Sequence, residues 1–138
     1  MMKKIKKLGL DIHGVCDADP QTYANMADSI IKMGGEVHII SGQKDTPELR
    51  EKIKNLKIPY THFFSITTYH ESIGTPIRYD EKNHPWMDAE MWDRTKADYC
   101  EREGIDMHID DSPVYGKYFK KSTTYVLVSK QQKSAPNG

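Results

Sequence analysis

Leu8-Gly9-Leu10-Asp11-Ile12-His13-Gly14-Val15 reads as a short apolar strand that ends on an acid and then turns through glycine. Two further stretches share this plan. Ile39-Ile40-Ser41-Gly42 closes an apolar strand on a hydroxyl, and Met107-His108-Ile109-Asp110-Asp111 closes one on two adjacent acids. Between them apolar residues recur at helical spacing, so strands and helices alternate. Alternation of this kind predicts an α/β, doubly wound, Rossmann-like fold: a mainly parallel sheet of about five strands with helices on both faces. In an open α/β sheet, ligands bind beyond the carboxyl ends of the strands. Asp11, Ser41, Asp110 and Asp111 are therefore expected at one edge, with Lys96 on the helix before the acidic pair. Such groups together can hold Mg²⁺, bind a phosphate and offer a nucleophile.

Outward from these stretches the first strand is expected over 5–10. A helix over 20–33 follows, with Tyr23, Met26, Ala27, Ile30 and Ile31 at helical spacing. Asp19 is its expected N-cap, Pro20 its first helical residue and Gly34-Gly35 its stop. The second strand covers 37–40. Thr46-Pro47-Glu48 opens a helix that runs to about Leu56 and keeps Leu49, Ile53 and Leu56 on one face. A third strand is expected over 60–66. Residues 67–87 hold Gly74, Pro76 and Pro85 without a clean period and read as a long loop or hairpin insertion. A helix over 88–103, stopped by Gly104, leads to a fourth strand over 105–109. A short helical turn from Ser112-Pro113 and a last strand over 125–128 complete the chain.

With 138 residues, the chain suits a single domain over about 1–130. The polar tail at 131–138 is expected to be disordered. Twenty basic and twenty acidic residues cancel, which gives no electrostatic reason for nucleic acid or an anionic membrane as an obligatory partner. Cys16 and Cys100 form neither a disulfide framework nor a zinc-ligand spacing; a cytoplasmic, reducing setting is expected. The basic start has too short an apolar segment after it for a signal peptide, and no apolar run approaches a membrane span.

The stations in this order resemble the haloacid dehalogenase (HAD) superfamily, mostly Mg²⁺-dependent phosphatases. The family's first motif, Asp-x-Asp-Gly-Thr/Val, stands here as Asp11-Ile12-His13-Gly14-Val15. Its second, an apolar strand closing on Ser or Thr, is matched by Ser41. Its third, a lone lysine, is best matched by Lys96, with Lys82 and Arg94 as runners-up. Its fourth, an apolar strand closing on acids, is Asp110-Asp111. The likeness spans about residues 5–128. It breaks at one place: the second aspartate of the first motif, usually the general acid/base, is His13.

The resemblance implies a small, minimally capped phosphatase that hydrolyses a small phosphate monoester. Asp11 would attack phosphorus and form an aspartyl-phosphate. Asp11, Asp110 and the backbone carbonyl of His13 would supply oxygens to Mg²⁺, and Asp111 would ligate through water or orient Lys96. Ser41 would hydrogen-bond a phosphate oxygen, with backbone N–H groups near Gly42 assisting. Lys96 would neutralise charge on the phosphoryl group. His13 either protonates the leaving oxygen, as an imidazole can near neutral pH, or contributes only its carbonyl. Tyr69, His70, Arg78, Tyr79, His84 and Trp86 in the insertion either stack on and pair with a substrate or form a hydrophobic plug with surface polar groups. The rival function is a catalytically impaired metal- or phosphate-binding regulatory protein. A phospho-acceptor receiver domain fits less well, because its acidic pair belongs on the first strand.

Overall fold

The computed structural model describes residues 4–129; the tail at 131–138, expected to be disordered, lies outside them. In chain order, β1 (Lys7–Leu10) passes through a turn over Ile12–Cys16 into α1 (Pro20–Lys32), β2 (Glu36–Ser41), α2 (Pro47–Asn55), β3 (His62–Ser65) and α3 (Ile66–Ser72). A hairpin of β4 (Arg78–Tyr79) and β5 (Pro85–Trp86) follows, then α4 (Ala89–Glu103), β6 (Met107–Asp110), a 3-10 turn over Tyr115–Tyr118 and β7 (Thr124–Leu127). Five strands pair in parallel in the order β3-β2-β1-β6-β7. The order reverses between β1 and β6, so the crevice expected of a doubly wound sheet opens where Asp11 and Asp110 end their strands.

Both sheet faces are covered. Leu8, Leu10, Val37 and Ile39 pack with Ala27 and Ile30 of α1 and with Leu49 and Ile53 of α2. Ile40 and Phe64 pack with Tyr99 and Cys100 of α4 and with Ile66 at the start of α3. The central strands are therefore near-continuous apolar runs rather than alternating ones. Gly9 sits in the middle of the second face, in register with His38 on one side and His108 on the other. A Cβ at Gly9 would lie 2.7 Å from His108 Nδ1 and 2.8 Å from the Ile40 side chain.

Each α-helix begins on a side-chain cap. Asp19, Thr46, Ser65 and Asp88 accept from the N–H groups of Thr22, Leu49, Thr68 and Met91, an arrangement worth about 1 kcal/mol per helix. Gly104, at φ +69°, closes α4 in the left-handed conformation.

One segment departs from the sequence expectation. The strand expected over 60–66 is only His62–Ser65, and the first third of the expected loop is helix α3. Two neighbouring β-branched residues, Thr67 and Thr68, lower helix propensity there. The stripe of Ile66, Tyr69 and His70 becomes visible only if His70 counts as interior. It is interior: its ring shares hydrogen bonds with Thr75 Oγ1 and Thr95 Oγ1, both at 2.8 Å. Among the described residues, no helix is long and apolar enough to cross a membrane.

Candidate active site

Pairing of β1 with β6 continues one step past Leu10, because the Asp11 N–H donates to Ile109 O at 3.1 Å. Asp11 and Asp110 thus leave the sheet side by side. Lys96 reaches between them from α4. Its ammonium lies 3.1 Å from Asp11 Oδ1 and 2.7 Å from Asp110 Oδ2, and the residue is 2% exposed. The two runners-up are elsewhere: Lys82 is in the β4–β5 turn, and Arg94 contacts Asp98 along an exposed stretch of α4. Asp110 has two further partners. His108 Nε2 is 2.9 Å from Oδ2, and the Ser112 N–H donates to Oδ1 at 3.0 Å.

These contacts divide the two acids. Burial pushes the Asp110 carboxyl up, but the His108 hydrogen bond and Lys96 hold it well below the usual carboxylate range. Burial also dominates at Asp11; Lys96 opposes it, Asp110 reinforces it, and the carboxyl rises from 3.8 to about 7. Burial disfavours the charged Lys96 ammonium, yet the two carboxylates more than offset this and its pKa is raised. Asp110 is therefore ionised, whereas Asp11 lacks a second positive neighbour. Asp111 faces the same space: one carboxylate oxygen each from Asp11, Asp110 and Asp111 lie within 4.8 Å of one another. Three hard oxygen donors, one of them on the under-compensated Asp11, fit a hard cation rather than a soft metal.

Gly14 makes room for this cluster. Its φ is +81°, and a Cβ there would lie 2.1 Å from Asp111 Oδ2. Gly14→Ala is expected to cost about 1–3 kcal/mol from backbone strain and to displace Asp111. Urea unfolding and the Mg²⁺-induced thermal shift check this. An Ala variant with wild-type stability and Mg²⁺ response would show that Asp111 does not depend on the glycine.

Ser41 closes β2 on the neighbouring strand, buried, with its Oγ accepting the Gln43 N–H at 3.1 Å. The loop after it is clamped by two hydroxyls: Thr67 Oγ1 donates to Gly42 O and Ser65 Oγ to Gln43 O, both at 2.6 Å. A Cβ at Gly42 would lie 2.8 Å from the Trp92 ring. Trp92 Nε1 donates to Tyr115 Oη at 3.0 Å, and the Tyr115 ring centroid is 5.2 Å from Lys96 Nζ. Trp92 and Tyr115 therefore join Ser41–Gly42 to Lys96. Neither was among the residues expected from the sequence; Trp92 could have been found one turn before Lys96 on α4, whereas Tyr115 carries no local pattern.

His13 stands at the outer rim, its side chain 83% exposed. Its Nδ1 lies 3.2 Å from Asp17 Oδ2, and Asp17 Oδ1 accepts the Gly14 N–H at 2.8 Å. Burial raises the Asp17 carboxyl, but the Gly14 N–H and His13 hold it below the usual range. Asp17 thus orients the ring from Nδ1, while Nε2 makes no hydrogen bond among the described residues. The four-residue spacing of His13 and Asp17 was readable in the sequence, but their contact was not, because the turn between them is kinked at His13 (ψ 127°) and Gly14 (φ 81°) and has no helical pitch.

The chain matches no protein-family model and no curated protein. Among solved structures it resembles an uncharacterized protein from Corynebacterium glutamicum, with a TM-score of 0.51 at 18% identity, over 94% of this chain and 87% of that one. That likeness shows the α/β fold.

The insertion residues form two groups. His70 is interior, and Tyr69 packs on Phe64 with their ring centroids 5.5 Å apart. The others build the hairpin: Tyr79 Oη donates to Glu71, Trp86 Nε1 donates to Asp80 Oδ2 at 3.0 Å, His84 Nδ1 is 3.4 Å from the same oxygen, and the Arg78 guanidinium lies 6.0 Å from the Trp86 ring centroid. Between hairpin, α2 and the loop after Ser41 runs a groove of about 410 Å³, lined among others by Gln43, Lys44, Lys52, Thr67, Tyr79 and His84.

Proposed function

We propose that the protein is a Mg²⁺-dependent phosphatase that hydrolyses a small phosphate monoester through an aspartyl-phosphate at Asp11, as a small, minimally capped relative of the haloacid dehalogenase superfamily. The observation that carries this reading is the Asp11–Lys96–Asp110 bridge: two strand-end acids share one buried ammonium, and only one of them is fully compensated. A cation beside Asp11 would hold it as the ionised nucleophile, and Lys96 would meet the charge that develops on a phosphoryl oxygen.

Asp11, Asp110 and Asp111 would hold the cation, with the His13 carbonyl as a further oxygen. When bound, Mg²⁺ supplies charge neutralisation that lets an anionic nucleophile approach an anionic phosphate. The chain's own residues do the rest. An Asp11 oxygen forms a bond to phosphorus as the bond to the leaving oxygen breaks. His13 Nε2–H gives its proton to that oxygen, and Asp17 steadies the imidazole. Water then attacks phosphorus, losing its proton to His13, and the Asp11–phosphorus bond breaks to release phosphate. Ser41 Oγ and the backbone near Gly42 bind a phosphoryl oxygen. The groove beside them, with Lys44, Lys52 and His84, gives the rest of the substrate polar partners, and both cysteines are buried free thiols, which suits a cytoplasmic location.

Leaving-group dependence is the decisive test. With His13 as the acid, His13→Ala should lower turnover of an alkyl phosphate by about 10²–10⁴-fold. With p-nitrophenyl phosphate, whose leaving group departs as an anion, the loss should be far smaller. Equal, small losses on both would leave His13 with its carbonyl only. Absence of hydrolysis by wild type, with activity created by His13→Asp, would favour the regulatory, catalytically impaired reading.

A further inference from the structure

A second set of metal-ligating groups occupies the opposite end of the sheet. Glu36 opens β2, and the strand period of two puts His38 on the same face. The parallel register pairs His38 with His62 at the start of β3. His38 Nε2 lies 2.8 Å from Glu36 Oε1, and His62 Nδ1 lies 3.9 Å from that same oxygen. One donor atom from each of the three residues lies within 4.8 Å of the others. Five residue-to-residue steps along β2 take Glu36 to Ser41, roughly 16 Å at about 3.3 Å per step, so this cluster is outside the candidate active site.

We propose that Glu36, His38 and His62 form a Zn²⁺ site that ties β2 to β3 at the amino edge of the sheet. Two imidazoles and one carboxylate are donors of the class that borderline metals take, whereas the Asp11 cluster offers oxygen alone. Ligands of a tetrahedral zinc at about 2.1 Å stand roughly 3.4 Å apart. The separations of 2.8 and 3.9 Å to Glu36 bracket that value, and the separation of the two imidazole donors is below 4.8 Å.

The surroundings suit ligation. His38 is fully buried, and its Nδ1 is 2.6 Å from Tyr99 Oη. On binding, the His38 proton moves from Nε2 to Nδ1 and is donated to Tyr99, the outer-sphere partner that a metal-bound imidazole needs. The His38 and His62 rings are stacked at 4.2 Å, so one must turn to aim its nitrogen. His62 is the one placed to do so, with its side chain 47% exposed; turning gives up the 2.8 Å hydrogen bond between its Nδ1 and Thr61 Oγ1. Lys7 Nζ stands 3.9 Å from Glu36 Oε1 and yields to the metal, keeping its 3.0 Å bond to Glu103 O. Glu36 and His62 face solvent, which leaves an entry path and a fourth position for water.

Zn²⁺ titration of the full chain by calorimetry tests the site, run in parallel on Asp110→Asn so that the acidic cluster is disabled. One Zn²⁺ is expected to bind in both. His62→Ala, at an exposed position that the fold tolerates, should weaken binding at least ~10-fold, and Glu36→Gln should do the same. His84→Ala should leave it unchanged. Co²⁺ should give the visible absorption of a four-coordinate site in wild type and lose it in His62→Ala. No Zn²⁺ binding by wild type, equal affinity in His62→Ala and Glu36→Gln, or loss of binding in Asp110→Asn alone would each overturn the proposal.

Discussion

Asp11→Asn should abolish turnover and yet make the metal-free protein more stable at neutral pH. Loss of the nucleophile removes the covalent step, and losses on the order of 10⁴-fold or more follow removal of such a group. The stability gain has a separate origin. Burial raises the folded-state Asp11 carboxyl from 3.8 to about 7. Between those pH values the native protein binds a proton that the unfolded chain has released. Stability therefore falls as pH rises through that window, and the deficit is complete above about pH 7. Asparagine keeps the shape and removes the charge. Lys96 retains Asp110 at 2.7 Å, so the ammonium stays paired. A gain of about 1–3 kcal/mol is expected at pH 8 and little at pH 4. Mg²⁺ should narrow the difference by stabilising only the wild type. Urea unfolding at both pH values, with and without Mg²⁺, reads each part. An Asn variant less stable than wild type at pH 8, or one retaining a tenth of wild-type turnover, would refute the division of charge between the two acids.

Removing the cation should do the reverse. Lys96→Met leaves Asp11 and Asp110 buried against each other, with the His108 and Ser112 hydrogen bonds to Asp110 remaining. Breaking a buried pair by deleting one partner costs about 3–5 kcal/mol. Both carboxyls would then titrate higher in the folded state than in the unfolded chain, so the deficit should open as pH rises from 4 to 8. Added Mg²⁺ should recover part of it, because a divalent cation can take over the ammonium's role toward the acids. Turnover should fall by about 10²–10³-fold, as when a positioned electrostatic donor is lost. Arg94→Met serves as the comparison. Its guanidinium contacts Asp98 on the helix surface, and the expected change is within about 0.5 kcal/mol. Similar losses in both variants would mean that α4 as a whole, rather than the bridge, sets the stability.

The alternation of apolar runs and capped helices was legible in the sequence because each depends on neighbours in the chain. Asp19-Pro20 and Thr46-Pro47 announce their helices, and the strands that end on Asp11, Ser41 and Asp110 announce a shared edge. Helix α3 was not legible, because its inward stripe includes a histidine whose burial rests on Thr75 and Thr95. Lys96 ranks ahead of Lys82 and Arg94 in the sequence, but its place between the two acids depends on the packing of α4, which no local pattern states. Trp92 and Tyr115 come together from two elements, and the stacking of His38 on His62 follows from strand register; neither relation is written in any local pattern.

Gly9 and His108 share one volume. The imidazole that steadies Asp110 from Nε2 also fills the space in which a side chain at position 9 would stand. The two positions therefore form a single unit of evolutionary change. A larger residue at 9 requires a smaller one at 108, and that exchange withdraws a hydrogen bond from Asp110. Repacking the middle of the sheet is thus barred to drift by the chemistry at its edge, although nothing at Gly9 touches that chemistry directly.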